Sequence, residues 1–194
     1  MHAKSISHRD LKPENILIKN CQPMQQVIDP MRTELKIADL GAAKVLNASN
    51  LNTPYVVSRY YRAPELIMGS NKYDCSIDIW STGCILFELI TRTPLFPGDY
   101  EGVQILEHAQ IKGMPSPREI SELEKICEAP VMQLLKRNHN FGPTDMAEIM
   151  LANSRSKYER EDIEKAADLI ELCLKWVPSD RISAKAALSH PFFQ

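Results

Sequence analysis

Asp10, Lys12 and Asn15 fall close together in the run HRDLKPEN (8–15), with His8 and Arg9 just before Asp10. Asp39 follows in ADLG (38–41), and RAPE (62–65) ends on Glu65. These residue types suit transfer of a phosphoryl group. The step needs a carboxylate beside the attacking hydroxyl, and Asp10 supplies one. It needs Mg²⁺ against the triphosphate charge, and Asn15 and Asp39 offer hard oxygen ligands from two loops that can meet. It gains from a cation beside the transferring phosphate, a place Lys12 can fill. Taken singly, each residue is equally a capped turn or a surface ion pair. Their order along the chain separates the two readings.

Two loops carry this chemistry, so the surrounding elements must hold them together. Ile16 to Lys19 reads as a strand, and Glu34 to Ala38 alternates as a second. The polar, proline-bearing stretch between them reads as an enlarged turn over residues 20–33. Residues 39–65 show no strong period and read as a long surface loop. Ser76 to Ile90 is apolar nearly all round, which predicts a helix buried inside the domain. The run from Gly98 predicts another helix, stopped by Gly113 and Pro115. Ser116, Pro117 and Glu119 predict a third, opened by a capping box. Residues 130–158 read as loop with short helices. Glu161 to Trp176 puts Ile163, Ala166, Ala167, Ile170, Cys173 and Leu174 on one stripe, and a last helix runs from about Ser183 to Leu188. The fold class is mainly α (α+β), a helical bundle with a small β element near its start.

HRDLKPEN fits the catalytic-loop signature H-R-D-L-x-x-x-N, ADLG stands where D-F-G is expected, and RAPE supplies A-P-E. In that order the chain resembles the protein-kinase family over nearly its whole length, as a partial kinase domain: catalytic loop 8–15, activation segment 39–65, helical lobe 76–194. LKPEN looks like the serine/threonine version. The resemblance implies ATP and Mg²⁺ as cofactors and protein substrates. It makes Asp10, Lys12 and Asn15 catalytic, and Asn15 and Asp39 metal ligands. Leu17, with Ile85 and Leu89, looks like the apolar stack beneath the adenine and equally like core. Asp78 resembles the buried aspartate that braces the catalytic loop, and Glu65 with Arg181 the ion pair that anchors the activation segment. TPYVVSRYYRAPELIMG and TPLFPGD resemble the group of cyclin-dependent, mitogen-activated and glycogen synthase kinases. AAK, SRYYRAPELI and FPGD look most like glycogen synthase kinase, while TPY looks like the dual phosphorylation site of the stress-activated mitogen-activated kinases. Arg9 and Lys44 match two of the three basic residues with which glycogen synthase kinases hold the phosphate of a primed substrate. Thr53 and Tyr55 match phosphorylated activation-loop positions.

The sequence also departs from the family. Leu40 replaces the usual Phe of D-F-G, and as an apolar residue it is expected to fill much of the same pocket. No G-x-G-x-x-G occurs, and no V-A-I-K-like strand precedes the catalytic loop. The expectation is a catalytic C-terminal half without its nucleotide grip, inactive by itself. A second reading is a short docking module that competes with a full kinase. Without the helix that the family places before the catalytic loop, Trp80, Ile85, Phe87 and Leu89 are expected to be partly exposed and the chain marginally folded.

Composition excludes several other classes. The 194 residues are 44% hydrophobic and 25% charged with a net charge of -2, so bulk electrostatics favour no nucleic acid or membrane surface. RYYR is too short to stand as a nucleic-acid patch, and His139 has no second ligand at metal spacing. Five scattered cysteines read as reduced thiols in a cytoplasmic or nuclear protein. No apolar run approaches a membrane span. The N-terminus lacks a secretory signal's apolar stretch, so the NAS triplet at residues 47–49 reads as chance.

Overall fold

A computed structural model describes residues 1–19, 34–46, 58–127, 130–137, 141–154 and 158–194. Strands β1 (Ile6–Ser7), β2 (Ile16–Lys19), β3 (Glu34–Ile37) and β4 (Lys44–Val45) come first. Helices α1 (Pro64–Ile67), α2 (Ser76–Thr91), α3 (Glu101–Lys112) and α4 (Pro117–Glu124) follow. The chain closes with α5 (Met132–Lys136), α6 (Met146–Asn153), α7 (Arg160–Cys173) and α8 (Ala184–Ala187).

The two expected strands, β2 and β3, pair antiparallel, in register from Ile16 opposite Ile37 to Lys19 opposite Glu34, and the expected enlarged turn at 20–33 lies outside the described residues. A second antiparallel pair was not expected. β1 joins β4 through Ile6 opposite Val45 and Ser7 opposite Lys44, inside the stretch that reads as loop. Two-residue strands carry no measurable period, so only long-range pairing reveals them.

α2 is the hub. It packs against α6, α7 and the 3-10 turn Arg59–Tyr61. Every residue of the predicted stripe on α7, with Leu174 just past its end, is buried. α6 adds Met146 and Met150 to the same core, from within a stretch that reads as loop with short helices. A second cluster gathers Ile67, Ile105, Ala109, Leu123 and Trp176 between α1, α3 and α4. Ser116 accepts a hydrogen bond from the Glu119 amide, and the Glu119 carboxylate accepts one from the Ser116 amide, which completes the capping box on α4.

The expected exposure of α2 needs correction. Trp80, Ile85 and Phe87 are 0%, 5% and 3% exposed, and only Leu89 stands out at 52%. Trp80 stacks on Phe96 at 5.8 Å and lies 4.7 Å from the His108 ring, so α3 and the segment after α2 cover it. Of the apolar surface on which a marginal fold was expected to rest, only Leu89 is exposed. Leu17 and Leu89 are likewise surface residues, not core, and only Ile85 of that trio is buried. Leu40, expected to fill a pocket, is 60% exposed among the described residues.

α2 and α7 are in close contact at Gly83. A Cβ there would lie 2.8 Å from the Cys173 Cβ, which is backbone-anchored and cannot swing aside. Gly83→Ala gains about 1 kcal/mol of helix propensity. Forcing the helices apart costs about 1–3 kcal/mol or more. The net expectation is a less stable protein, read as a lower urea midpoint with an unchanged slope.

His108 was not singled out by sequence. It is 0% exposed, with Trp80, Phe96 and Trp176 rings around it and neither ring nitrogen hydrogen-bonded among the described residues. Burial, then the charges of Lys112 and Arg181, hold its pKa well below the ordinary value. It is therefore neutral in the folded protein, while the unfolded chain takes up a proton near pH 6.5. Its contribution to stability is full above that pH and falls by about 1.4 kcal/mol per unit below it. His108→Leu is expected to remove that slope between about pH 6 and 5 in urea melts, relative to the parent.

Candidate active site

The two β pairs set the site. Residues 8–15 leave β1 and enter β2, while residues 38–43 leave β3 and enter β4. The two ladders therefore hold the loops side by side, and the Ala38 amide donates to the Asn15 carbonyl at 2.8 Å. His8 is 1% exposed and its Nε2 lies 2.8 Å from the Ala38 carbonyl, a second tie between the loops.

α2 braces this arrangement through Asp78, which is 3% exposed. Its Oδ2 accepts from the His8 amide at 2.8 Å and the Ser7 hydroxyl at 2.9 Å, with His2 Nε2 at 2.9 Å. Oδ1 accepts from the Arg9 amide at 2.9 Å. Burial raises the pKa of this carboxyl, but hydrogen bonds from His2, Arg9, His8 and Ser7 outweigh it and leave the pKa lowered. Asp78 thus has the bracing position that the resemblance implies. His2 and Ser7 were missed as its partners; nothing in their local sequence ties them to a residue 70 positions on.

Asp10 lies at the centre. Its Oδ1 accepts from both the amide and the hydroxyl of Ser58, each at 2.9 Å. Lys12 Nζ is 3.2 Å from Asp10 Oδ2 and donates to Ser58 Oγ at 3.2 Å. Asn15 is 7% exposed and its side-chain amide donates to the Asp10 carbonyl at 2.8 Å. Partial burial raises the Asp10 pKa, yet Ser58 and Lys12 lower it further, so the carboxylate is ionised at neutral pH. Ser58 belongs to the site but carried no sequence signal beyond its place ahead of RYYRAPE.

Asp39 is exposed and holds φ 59°, the left-handed region that non-glycine residues seldom adopt. Such backbone clusters at working sites. Its Oδ1 accepts from the Gly41 amide at 3.3 Å. Among the described residues no group of three or more His, Cys, Asp or Glu is placed to hold a metal. Asn15 and Asp39 fit Mg²⁺ as two hard oxygen donors, which suits an ion that keeps waters and takes phosphate oxygens for the rest.

The remaining predicted residues divide. Arg9 has φ 67°; its Nε donates to the Ala42 carbonyl at 2.6 Å and its Nη1 to the Tyr73 hydroxyl at 3.0 Å. Lys44 on β4 stands opposite Ser7, and Arg9 lies two residues past Ser7, beyond the end of β1. Leu17 is on β2, 53% exposed. Thr53 and Tyr55 lie outside the described residues. Glu65 and Arg181 pair bidentately at 2.6 and 2.7 Å with both side chains 0% exposed, which ties the end of residues 58–65 to the segment after α7.

Relatives place this geometry. The protein kinase domain model matches residues 1–193. Protein kinase gsk3 of Schizosaccharomyces pombe is 38% identical over 193 residues, 100% of this chain and 44% of its own length. Mitogen-activated protein kinase 10 of Arabidopsis thaliana is 37% identical over 192 residues, 99% of this chain and 43% of its own. Glycogen synthase kinase 1 of Pyricularia oryzae is 35% identical over 193 residues, 100% of this chain and 43% of its own. The chain thus spans less than half the length of these curated relatives, and glycogen synthase kinases stand among them, as SRYYRAPELI and FPGD imply. With the catalytic-loop and D-x-G residues joined in space, Glu65 of A-P-E anchored on Arg181, and that match running almost end to end, the chain belongs to the protein kinase family.

Proposed function

We propose that this chain carries the catalytic and metal-holding half of an ATP-dependent protein serine/threonine kinase. The observation that supports this reading most is the setting of the Ser58 hydroxyl. It donates to the Asp10 carboxylate at 2.9 Å, while Lys12 Nζ donates to the Ser58 hydroxyl oxygen at 3.2 Å. An acceptor hydroxyl on a protein substrate needs those two neighbours: a carboxylate to take or orient its proton and a cation beside the entering phosphoryl group. When bound, Mg·ATP supplies the transferable γ-phosphoryl and the metal charge. Asn15 and Asp39 would hold the ion, and Asp78 keeps the loop in register. Arg9 and Lys44 are proposed to receive the phosphate of a primed substrate, and Thr53 and Tyr55 to be phosphorylated. The cytoplasm or nucleus is the proposed location.

The 194 residues contain no glycine-rich phosphate loop, so this chain alone is expected to transfer little or no phosphate. Fused behind the glycine-rich and lysine-bearing segment of a glycogen-synthase-kinase-type relative, it is expected to label Ser or Thr of a protein substrate from Mg·ATP. A folded fusion that binds ATP yet labels nothing overturns the proposal. Robust transfer by the chain alone, lost in Asp39→Ala, overturns the expectation of inactivity.

A further inference from the structure

Away from the catalytic loop, the end of α3 builds a small cavity of about 140 Å³. Pro143, Thr144 and Met146 line one side, Glu171, Leu174 and Lys175 the other, and Lys112 enters from α3. The walls are fixed by hydrogen bonds. The Thr144 hydroxyl donates to the Ile111 carbonyl at 2.7 Å and the Thr144 amide to the same oxygen at 3.0 Å. Met114 N donates to the Phe141 carbonyl at 3.1 Å, and Trp176 Nε1 donates to the Gly113 carbonyl at 3.3 Å. Gly113 holds φ 78°, and a Cβ there would meet Pro143 N at 2.8 Å, so the two segments are pressed together.

Lys112 is half-buried and has no ion pair among the described residues. Its Nζ lies 6.0 Å from the centre of the Trp80 ring, and the Arg181 guanidinium lies 5.2 Å from the same ring. Arg181 is always charged, so a second cation at this indole is disfavoured. Burial, then Lys175 and Arg181, push the Lys112 pKa down to about 8, against the pull of Glu119 and Glu171. His108, one turn back on α3, is neutral. The cavity holds about four water-sized groups, room for a short acyl chain and too little for a nucleotide.

We propose that Lys112 is an acylation site, whose amine takes a short acyl group from an activated acyl donor, a thioester or an acyl phosphate, and lodges it in this cavity. The neutral Nζ attacks the donor carbonyl carbon. A C–N bond forms, the C–S or C–O bond breaks, and the thiolate or phosphate leaves with the electron pair. The proton lost from nitrogen passes to the leaving thiolate or to solvent. The Lys175 ammonium lines the same cavity and can stabilise the carbonyl oxygen as negative charge develops on it. The product is a neutral amide in a place that disfavours an ammonium, so burial that opposes the charged lysine favours the acylated one.

The test treats the whole folded chain with acetyl-coenzyme A and, separately, acetyl phosphate across a pH series. Peptide mass spectrometry then follows each lysine. Near pH 7.5, Lys112 is expected to acetylate about tenfold faster than exposed Lys36, Lys72 and Lys185, because far more of its amine is neutral there. Its rate should level off above about pH 8, and Lys175→Gln should move that midpoint upward. Whichever donor reacts faster identifies the source. Equal rates at Lys112 and the exposed lysines, or a preference that persists in concentrated urea, overturn the proposal.

Discussion

Arg181→Ala is expected to lower the unfolding free energy by about 3–5 kcal/mol, a large share of the ~5–15 kcal/mol that holds a typical domain. The guanidinium meets Glu65 at 2.6 and 2.7 Å with both side chains shut off from solvent. It also donates to the carbonyls of Lys175 at 3.0 Å and Ser76 at 3.2 Å. Removing it leaves a carboxylate buried without a partner, which then protonates or draws in water, and strips those carbonyls of a donor. Replacing both partners, as in Glu65→Met with Arg181→Met, is expected to cost much less, because no lone charge remains. Urea melts of the two singles and the double give the cycle. A loss below about 1 kcal/mol in Arg181→Ala would contradict the burial of this pair.

Asp10→Asn is expected to slow phosphoryl transfer by about 10²–10⁴-fold in the active fusion, with little change in stability or in the KM for ATP. The amide keeps the size of the side chain and still accepts the Ser58 amide bond at Oδ1. It loses the charge that Lys12 neutralises and the basicity that orients an acceptor hydroxyl. The Asp10 pKa is held below the ordinary carboxylate value, so the wild-type rate should be flat through neutral pH. Steady-state kinetics with a peptide acceptor provide the check. A wild-type rate in the variant would remove Asp10 from the chemistry.

Much of the architecture is legible in sequence because it is local. The capping box at Ser116 and Glu119 needs only three residues and their backbone amides. The apolar stripe of α7 and the all-round apolar character of α2 follow from helical spacing, and both helices form close to where that spacing puts them. The order of Asp10, Asn15, Asp39 and Glu65 is enough to name the family and to assign Asp78 and Arg181 their partners. The reading failed where outcome depends on what lies across the fold. Trp80 and Phe87 were expected to be partly exposed, yet Phe96 and His108 pack on Trp80, and both residues lie in the core cluster that α6 and α7 share. Leu17 and Leu89 carry apolar types that fit a core but lie where nothing described covers them.

By itself the sequence determined the family and the candidate residues: the carboxylates, the amide and the lysine proposed for the site, and the long helices that carry it. Those choices are written in residue type and short spacing. Only the tertiary structure decided that β1 pairs with β4, that His2 and Ser7 join His8 and Arg9 on Asp78, and that Ser58 closes over Asp10. It also decided that His108 and Lys112, ordinary polar letters on an amphipathic helix, face an aromatic interior beside Arg181. The reason is physical. Hydrogen bonds and desolvation act between groups brought together from distant parts of the chain, and no local pattern records which groups those are.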